Sequence, residues 1–423
     1  MGVLAHLQGL IGLALIVAAA WTLSENRPAR PRARWIAGAL GLQLAIALIV
    51  TRVPLVWAVV GYANEAVFAI ERATLAGSSY MFGYLGGAPV PFVLAEGAQP
   101  PLVIAFQILP LIIVFSALSA LLWHWGVLRL AVRGLSWAMQ RTLGVSGVVG
   151  LGAGATIFLG VVESPLVLRA WLGRISRSDL FAVMVMIMAT ISGAILVLYA
   201  TTLARTVPDA VGHMIVASLI SLPAAVLIAR LMVPPVAGEQ AAAEKAEPDL
   251  AYESSMDAVV RGTMEGVQLM LAVIGVIIVV FALVNLADQM LALIPLGGAE
   301  PLTVRGIFGW LFAPVMWAIG IPWDQAGTAG SLMGTKAILN EYVAYLALAD
   351  LPAGALEPRS LIIVTYALSG VANLASVGLI VSAIATLAPE RRAEVSSLGM
   401  KSWLAGNMVT LMTGAVIGLV TWA

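Results

Sequence analysis

The sequence contains no cysteine, which excludes disulfides, thiolate metal sites and cysteine nucleophiles. Charge is scarce as well: 10% of the 423 residues are Asp, Glu, Lys or Arg, against about 25% in an ordinary soluble domain. The 22 basic and 22 acidic residues cancel and no basic block occurs, so nucleic acid is not an expected partner. The three histidines, His6, His124 and His213, are scattered, and none of them pairs at zinc-ligand spacing. Short segments of strictly alternating hydrophobicity, the mark of a membrane barrel, are also missing.

What remains is apolar. Hydrophobic residues make up 61% of the chain and the mean hydropathy is +1.00. Runs of about 20 apolar residues recur, each long enough to cross the ~30 Å hydrocarbon core as a helix. The sequence therefore predicts an all-α integral membrane protein. No Lys or Arg precedes the first run, 3–21, whereas a secretory leader opens with a positive segment. That run reads as the first span, with its N-terminus outside.

Spans are expected at 3–23, 35–51, 102–125, 180–203, 210–233, 264–288, 360–388 and 402–422. Residues 53–72 are amphipathic and suit a helix lying in the interface, as does the basic segment after residue 125. Residues 73–100, rich in Gly and Pro, read as an exposed loop. Two regions are apolar but interrupted: 144–172, punctuated by Gly144, Gly147, Gly150, Gly152, Gly154 and Gly160, and 307–347. Such interruptions point to transporter sites. Arg27, Arg30, Arg32, Arg34, Arg129, Arg133, Arg141, Arg174, Arg177, Lys245, Arg391, Arg392 and Lys401 fall on one side of this topology. By the positive-inside rule that side is cytoplasmic, and both termini are expected to be periplasmic.

An interrupted segment bearing an acid, followed by a span, occurs at 144–203 and again at 307–388, the hydropathic trace of an inverted repeat. The chain divides accordingly into 1–125, 126–235, a soluble-looking linker at 236–252, 253–306 and 307–423.

Glu163 and Glu341 occupy matching points in the two interrupted segments. An acid at the centre of a spanning helix costs about 2.5–3.5 kcal/mol on insertion scales, and such acids mark substrate or ion paths. Asn373 and Ser376, three apart in the seventh span, share a helix face. Carboxylate, amide and hydroxyl together suit a polyol such as a sugar. Thr190 and Ser192 precede Gly193 in the fourth span; a break there frees carbonyls for a hard monovalent cation, while small-residue helix packing accounts for the same residues. Asp324 reads as a turn or cap residue. Asp257, Arg261 and Glu265 have i, i+4 spacing and read as pairs near the membrane surface.

With these residues in hand, the chain resembles the concentrative nucleoside transporter family over nearly its whole length. The resemblance is carried by "RGTMEGVQLMLAVIG", "FAPVMWAIGIPWDQAGTAGSLMGTKAILNEYVAYLAL" and "YALSGVANLASVGL", and most specifically by "GSLMGTKAILNEYVAY". It implies a homotrimer in a bacterial inner membrane. Each protomer has about eight spans, two re-entrant helical hairpins, and 1–125 with 253–306 as scaffold. It implies nucleoside import by cation symport and elevator-type alternating access, with no enzymatic activity and no cofactor beyond the coupling ion. The substrate set carried over is Val161, Val162, Glu163, Ile195, Glu341, Val371, Asn373 and Ser376. Within it Glu341, Asn373 and Ser376 match the ribose-holding residues, and Glu163 the acid near the nucleobase.

Two departures stand out. The family pattern Gly-Gln-Thr-Glu is here Gly160-Val161-Val162-Glu163, and its usual Phe is Val371. Both make the base pocket more apolar and imply altered or relaxed base preference. The ion set carried over is Thr156, Leu159, Thr190 and Ile191, with Thr156 in place of Asn and Thr190 in place of Ser. Oxygen ligands survive, which keeps sodium; the lost amide equally allows proton coupling through Glu163 or Glu341. Other occupants of the same architecture are a carrier for a nucleobase or modified nucleoside, a passive channel, or a membrane enzyme using the two acids as an acid–base pair.

Overall fold

The structure, a computed structural model, describes residues 2–27, 33–94, 101–161, 163–236, 250–294 and 301–421. It is all-helical, with no strand among the described residues. Helices α1 (Gly2–Thr22) and α2 (Ala33–Arg52) lead into α3 (Pro54–Phe82). Residues 73–82, expected in a loop, continue α3: no proline interrupts them, and the helix ends only at Gly83, whose φ of 58° is left-handed. After α4 (Ile104–Gln107) and α5 (Pro110–His124), the basic amphipathic segment forms α6 (Val127–Leu143), bounded by Gly126 and Gly144 at positive φ.

Both interrupted regions fold as broken helices. In the first, α7 (Gly147–Phe158) is capped by Ser146 and ends short of α8 (Glu163–Val167) and α9 (Arg169–Leu172). In the second, α14 (Val304–Ala318) turns through 117° into the segment that begins with α15 (Trp323–Gly334). A π turn at Thr335–Leu339 then leads to α16 (Glu341–Ala349). The spans that follow are broken as well. The fourth divides into α10 (Arg177–Ala189) and α11 (Gly193–Leu203), and the seventh into α17 (Pro358–Leu368) and α18 (Leu374–Leu387). Long unbroken helices in this part of the chain are α12 (Ala210–Met232), α13 (Ser255–Ala292, begun nine residues before its expected start) and α19 (Arg392–Val420). Among the described residues five helices are long and apolar enough to cross a membrane, six if the bent pair is one span.

The core sits among α10, α12 and α19. All of Ser178 to Ala189 is buried, and the apolar stretches of α12 and α19 are each 83% buried. Helices apolar all round belong in such a position. Inside it Arg230 pairs with Asp179 at 2.6 Å and donates to Ser178 at 2.7 Å, so the buried charge is compensated. At one edge of this core Glu25 ties α1 to α10 and α19 by accepting from Arg177 and Lys401. The hydrogen bond from Arg177, with that from Lys401, holds its carboxyl at about 2. The clamp is therefore complete above the ordinary carboxylate range and is lost as pH falls toward 2.

By contrast none of the apolar stretch of α13 is buried within the protomer. α13 meets the protein chiefly along α5, where Gly262 and Gly266 let the two backbones approach: a Cβ on Gly266 would lie 2.6 Å from Ile113 Cα. Gly275, on the same helix, has open space around it. Gly266→Val is therefore expected to cost about 1–3 kcal/mol through overpacking, lowering the melting temperature of the purified protein. Gly275→Ala is expected to leave it unchanged or slightly raised, Ala being the better helix former by up to about 1 kcal/mol.

Candidate functional site

The two breaks and the two helix starts meet. Asn340 ends the π turn in an extended conformation and caps α16, its Oδ1 accepting from Tyr342 N at 2.7 Å. This cap sets Glu341 in the first turn, where the helix dipole favours a carboxylate. Glu341 is 4% exposed. Its Oε1 accepts from Tyr199 Oη at 2.5 Å and its Oε2 from Asn373 Nδ2 at 2.5 Å. Tyr199 stacks on Tyr342, with ring centroids 5.7 Å apart, and lies against Tyr345 at 4.9 Å.

Asn373 does not lie inside a continuous helix as the spacing suggested. It is the N-cap of α18, its Oδ1 accepting from Ser376 N at 2.9 Å. Helix α17 stops at Leu368, and Gly370 makes the turn at φ 132°. A Cβ there would meet Thr410 Cγ2 at 2.8 Å and the Ala189 backbone at 3.0 Å. The break is held by Lys336, fully buried in the π turn, which donates to Asn407 Oδ1 at 3.0 Å and Thr410 Oγ1 at 2.8 Å. Asn407 in turn donates to Ala372 O at 3.0 Å. The π turn, the break and α19 thus form one connected polar network around Asn373.

These groups open onto a cavity of about 280 Å³. Val161, Glu163, Ile195, Glu341, Val371, Asn373 and Ser376 all line it; Val162 lies outside the described residues. Its remaining walls are largely aliphatic, from α11 and α13. The polar cluster around Glu341, set in a largely apolar cavity, can orient a ligand through its hydroxyls.

The four ion-set residues also converge. Leu159 and Thr190 are the C-caps of α7 and α10, both extended. Thr190 Oγ1 donates toward Thr156 O at 3.3 Å and to Met186 O at 2.9 Å. Thr156 Oγ1 donates to Ala153 O at 3.1 Å, and Ile191 N to Ser218 Oγ at 3.3 Å. The C-terminal ends of α7 and α10, each the negative end of a helix dipole, are linked by the Thr190 hydroxyl, with the Thr156 hydroxyl on the last turn of α7. This is oxygen chemistry suited to a hard cation.

Three family profiles match the chain. The Na+ dependent nucleoside transporter N-terminus covers residues 11–85, "nucleoside recognition" covers 105–206, and the Na+ dependent nucleoside transporter C-terminus covers 213–418. An uncharacterized transporter of Haemophilus influenzae is 32% identical, spanning 98% of this chain and 97% of its own length. The chain belongs to the concentrative nucleoside transporter family. The nucleoside permease NupC of Helicobacter pylori is 29% identical over 99% of this chain and 98% of its own. The structure of CNTnw in an inward-facing substrate-bound state superposes with a TM-score of 0.87 at 33% identity, covering 98% of both chains. The protein is thus a multi-pass membrane protein of a nucleoside-transporting family.

Several residues of the site escaped the sequence. Tyr199 sits in an unremarked apolar run, one turn after Ile195; that i, i+4 spacing was the available signal. Lys336 lay within the most specific motif without a partner in sequence. Glu265 was read as part of a surface ion pair, whereas Arg261 pairs with Asp257 at 3.6 Å and Glu265 lines the cavity with Gln268.

Removing the phenol in Tyr199→Phe takes one of two donors from a buried carboxylate. The expected cost is about 1.5–3 kcal/mol, the range for hydrogen bonds to charged groups. In a double-mutant cycle with Glu341→Gln, read by thermal unfolding, the two losses are expected to be strongly non-additive.

Proposed function

We propose that the protein imports nucleosides by symport with sodium, holding the ribose at Glu341, Asn373 and Ser376. The observation that carries this is the buried Glu341 carboxylate, presented to the cavity by Tyr199 and Asn373 beside a capped helix end. An ionised carboxylate is acceptor-only, so it pairs with the vicinal hydroxyls of a sugar. Ile195, Val371 and Val161 offer the base an apolar surface, and Glu163 stands where the resemblance puts the nucleobase.

Sodium is favoured by the two converging helix C-termini at Leu159 and Thr190 and by the hydroxyls of Thr156 and Thr190. Ile191, whose N–H is already taken by Ser218, offers its carbonyl. An ion there and a substrate beside Glu163 and Ile195 share the same two broken helices. Binding one therefore orders the elements the other needs, which is the coupling symport requires.

The account extends to assembly and motion. The α7–α8 and α15–α16 elements act as re-entrant hairpins within about eight spans per protomer, as the resemblance implies. They move together against a scaffold of 1–125 and 253–306, elevator fashion. The uncovered apolar stretch of α13 supports contact with lipid and with two further protomers in a homotrimer. The charge asymmetry supports a bacterial inner-membrane location with periplasmic termini.

The test is uptake of labelled nucleosides into proteoliposomes under an imposed sodium or proton gradient. Accumulation above the external concentration, driven by sodium and lost in Glu341→Gln, is expected. A 3′-deoxynucleoside should compete at least ~10-fold more weakly than its parent, since the site's polar groups are then left unpaired. Uptake that ignores sodium and follows a proton gradient would transfer the coupling role to the carboxylates.

A further inference from the structure

Glu265 and Gln268 stand three residues apart on one face of α13. Both line the central cavity, as do Ala272 and Val276 further along that face. Among the described residues neither side chain is engaged in a hydrogen bond. Arg261, one turn from Glu265, is committed to Asp257 at 3.6 Å and to the face of Tyr252 at 4.9 Å.

The cavity has two polar regions. One is the Glu341 cluster. The other is marked by a side chamber of about 30 Å³, which meets the cavity at Gly160, Glu163, Glu265 and Leu269 and touches none of Glu341, Asn373 and Ser376. The chamber exceeds the roughly 10–15 Å³ that a single water requires. Ser192 lines it, 5% exposed, and its buried Oγ has no partner among the described residues. An orphaned buried hydroxyl is a group for which a partner is missing. This second region is therefore a place where a polar ligand edge, or a water carried with it, completes the bonding.

The character of the region follows from its groups. A carboxylate at Glu265 accepts through two oxygens, and Gln268 adds one acceptor oxygen and an amide N–H pair. The hairpin tip contributes the apolar Val161, so polar readout of a base comes from the opposite wall, α13. A base edge that carries an amino group places its N–H donors against this surplus of acceptors. A carbonyl at the same position sets lone pair against carboxylate.

We infer that Glu265 and Gln268 read the nucleobase and select nucleosides bearing an exocyclic amine, cytidine and adenosine, over their oxo counterparts, uridine and inosine. This rests on the nucleoside reading above and adds the substrate class to it.

The experiment is competition of the matched pairs cytidine/uridine and adenosine/inosine against labelled adenosine uptake in proteoliposomes. It is made for the wild type, Glu265→Gln and Gln268→Leu, with a 3′-deoxynucleoside as ribose control. In the wild type the amino member of each pair is expected to compete about tenfold better. In Glu265→Gln, whose amide also donates, that ratio falls toward one, and in Gln268→Leu it shrinks; discrimination against the 3′-deoxy compound persists in both. Equal competition within the pairs in the wild type, or an undiminished ratio in both variants, would overturn the inference while leaving nucleoside transport standing. A wild type that takes up no nucleoside would bring down the transport reading, and this inference with it.

Discussion

The site is organised around a carboxylate that the membrane would otherwise reject. Glu341 is buried, and burying a charge is tolerated only when its oxygens are occupied. Here Tyr199 occupies one and Asn373 the other. Each donor needs its own support. Tyr199 is wedged between Tyr342 and Tyr345, while Asn373 is fixed by capping α18 and by the backbone turn at Gly370. The fully buried Lys336 holds that turn through Asn407. Four separate stretches of chain are thus committed to one anion, which explains why the helices around it are broken: a continuous helix would have its polar backbone groups bonded internally and its side chains spaced too regularly to converge.

The same logic gives the molecule its two kinds of helix end. Helix starts, at Glu341 and after Asn373, gather where negative or acceptor-rich groups are wanted. Helix stops, at Leu159 and Thr190, gather where we propose that a cation is held. Irregular backbone at membrane depth survives only against protein or a cavity, and both breaks satisfy that condition. Function and fold therefore draw on one resource, the unpaired groups at helix termini.

How much of this was legible in the sequence depended on whether the signal was periodic or local. Length and apolarity sufficed for α12 and α19, because a buried span is recognised by composition alone. The glycine punctuation of 144–172 and the match between Glu163 and Glu341 pointed to both interrupted regions. The break in the seventh span was not legible, since "LSGVANLAS" reads as a tolerable helix until Gly370 is seen in a conformation few other residues adopt. The end of α3 was misplaced because the Gly- and Pro-rich composition of 73–100 read as a loop, while no proline interrupts the helix before Gly83. Tyr199 and Glu265 were missed for another reason. A tyrosine in an apolar run and an acid four residues from an arginine have ordinary explanations, and only three-dimensional convergence on the cavity displaces them.

The most direct test is a structure of the protein with a nucleoside and sodium bound. The account predicts the ribose hydroxyls within hydrogen-bonding distance of the Glu341 carboxylate and Asn373, with the base directed toward Val161 and α13. A ribose turned toward Glu163 and Glu265, or a nucleoside bound outside this cavity, would contradict it.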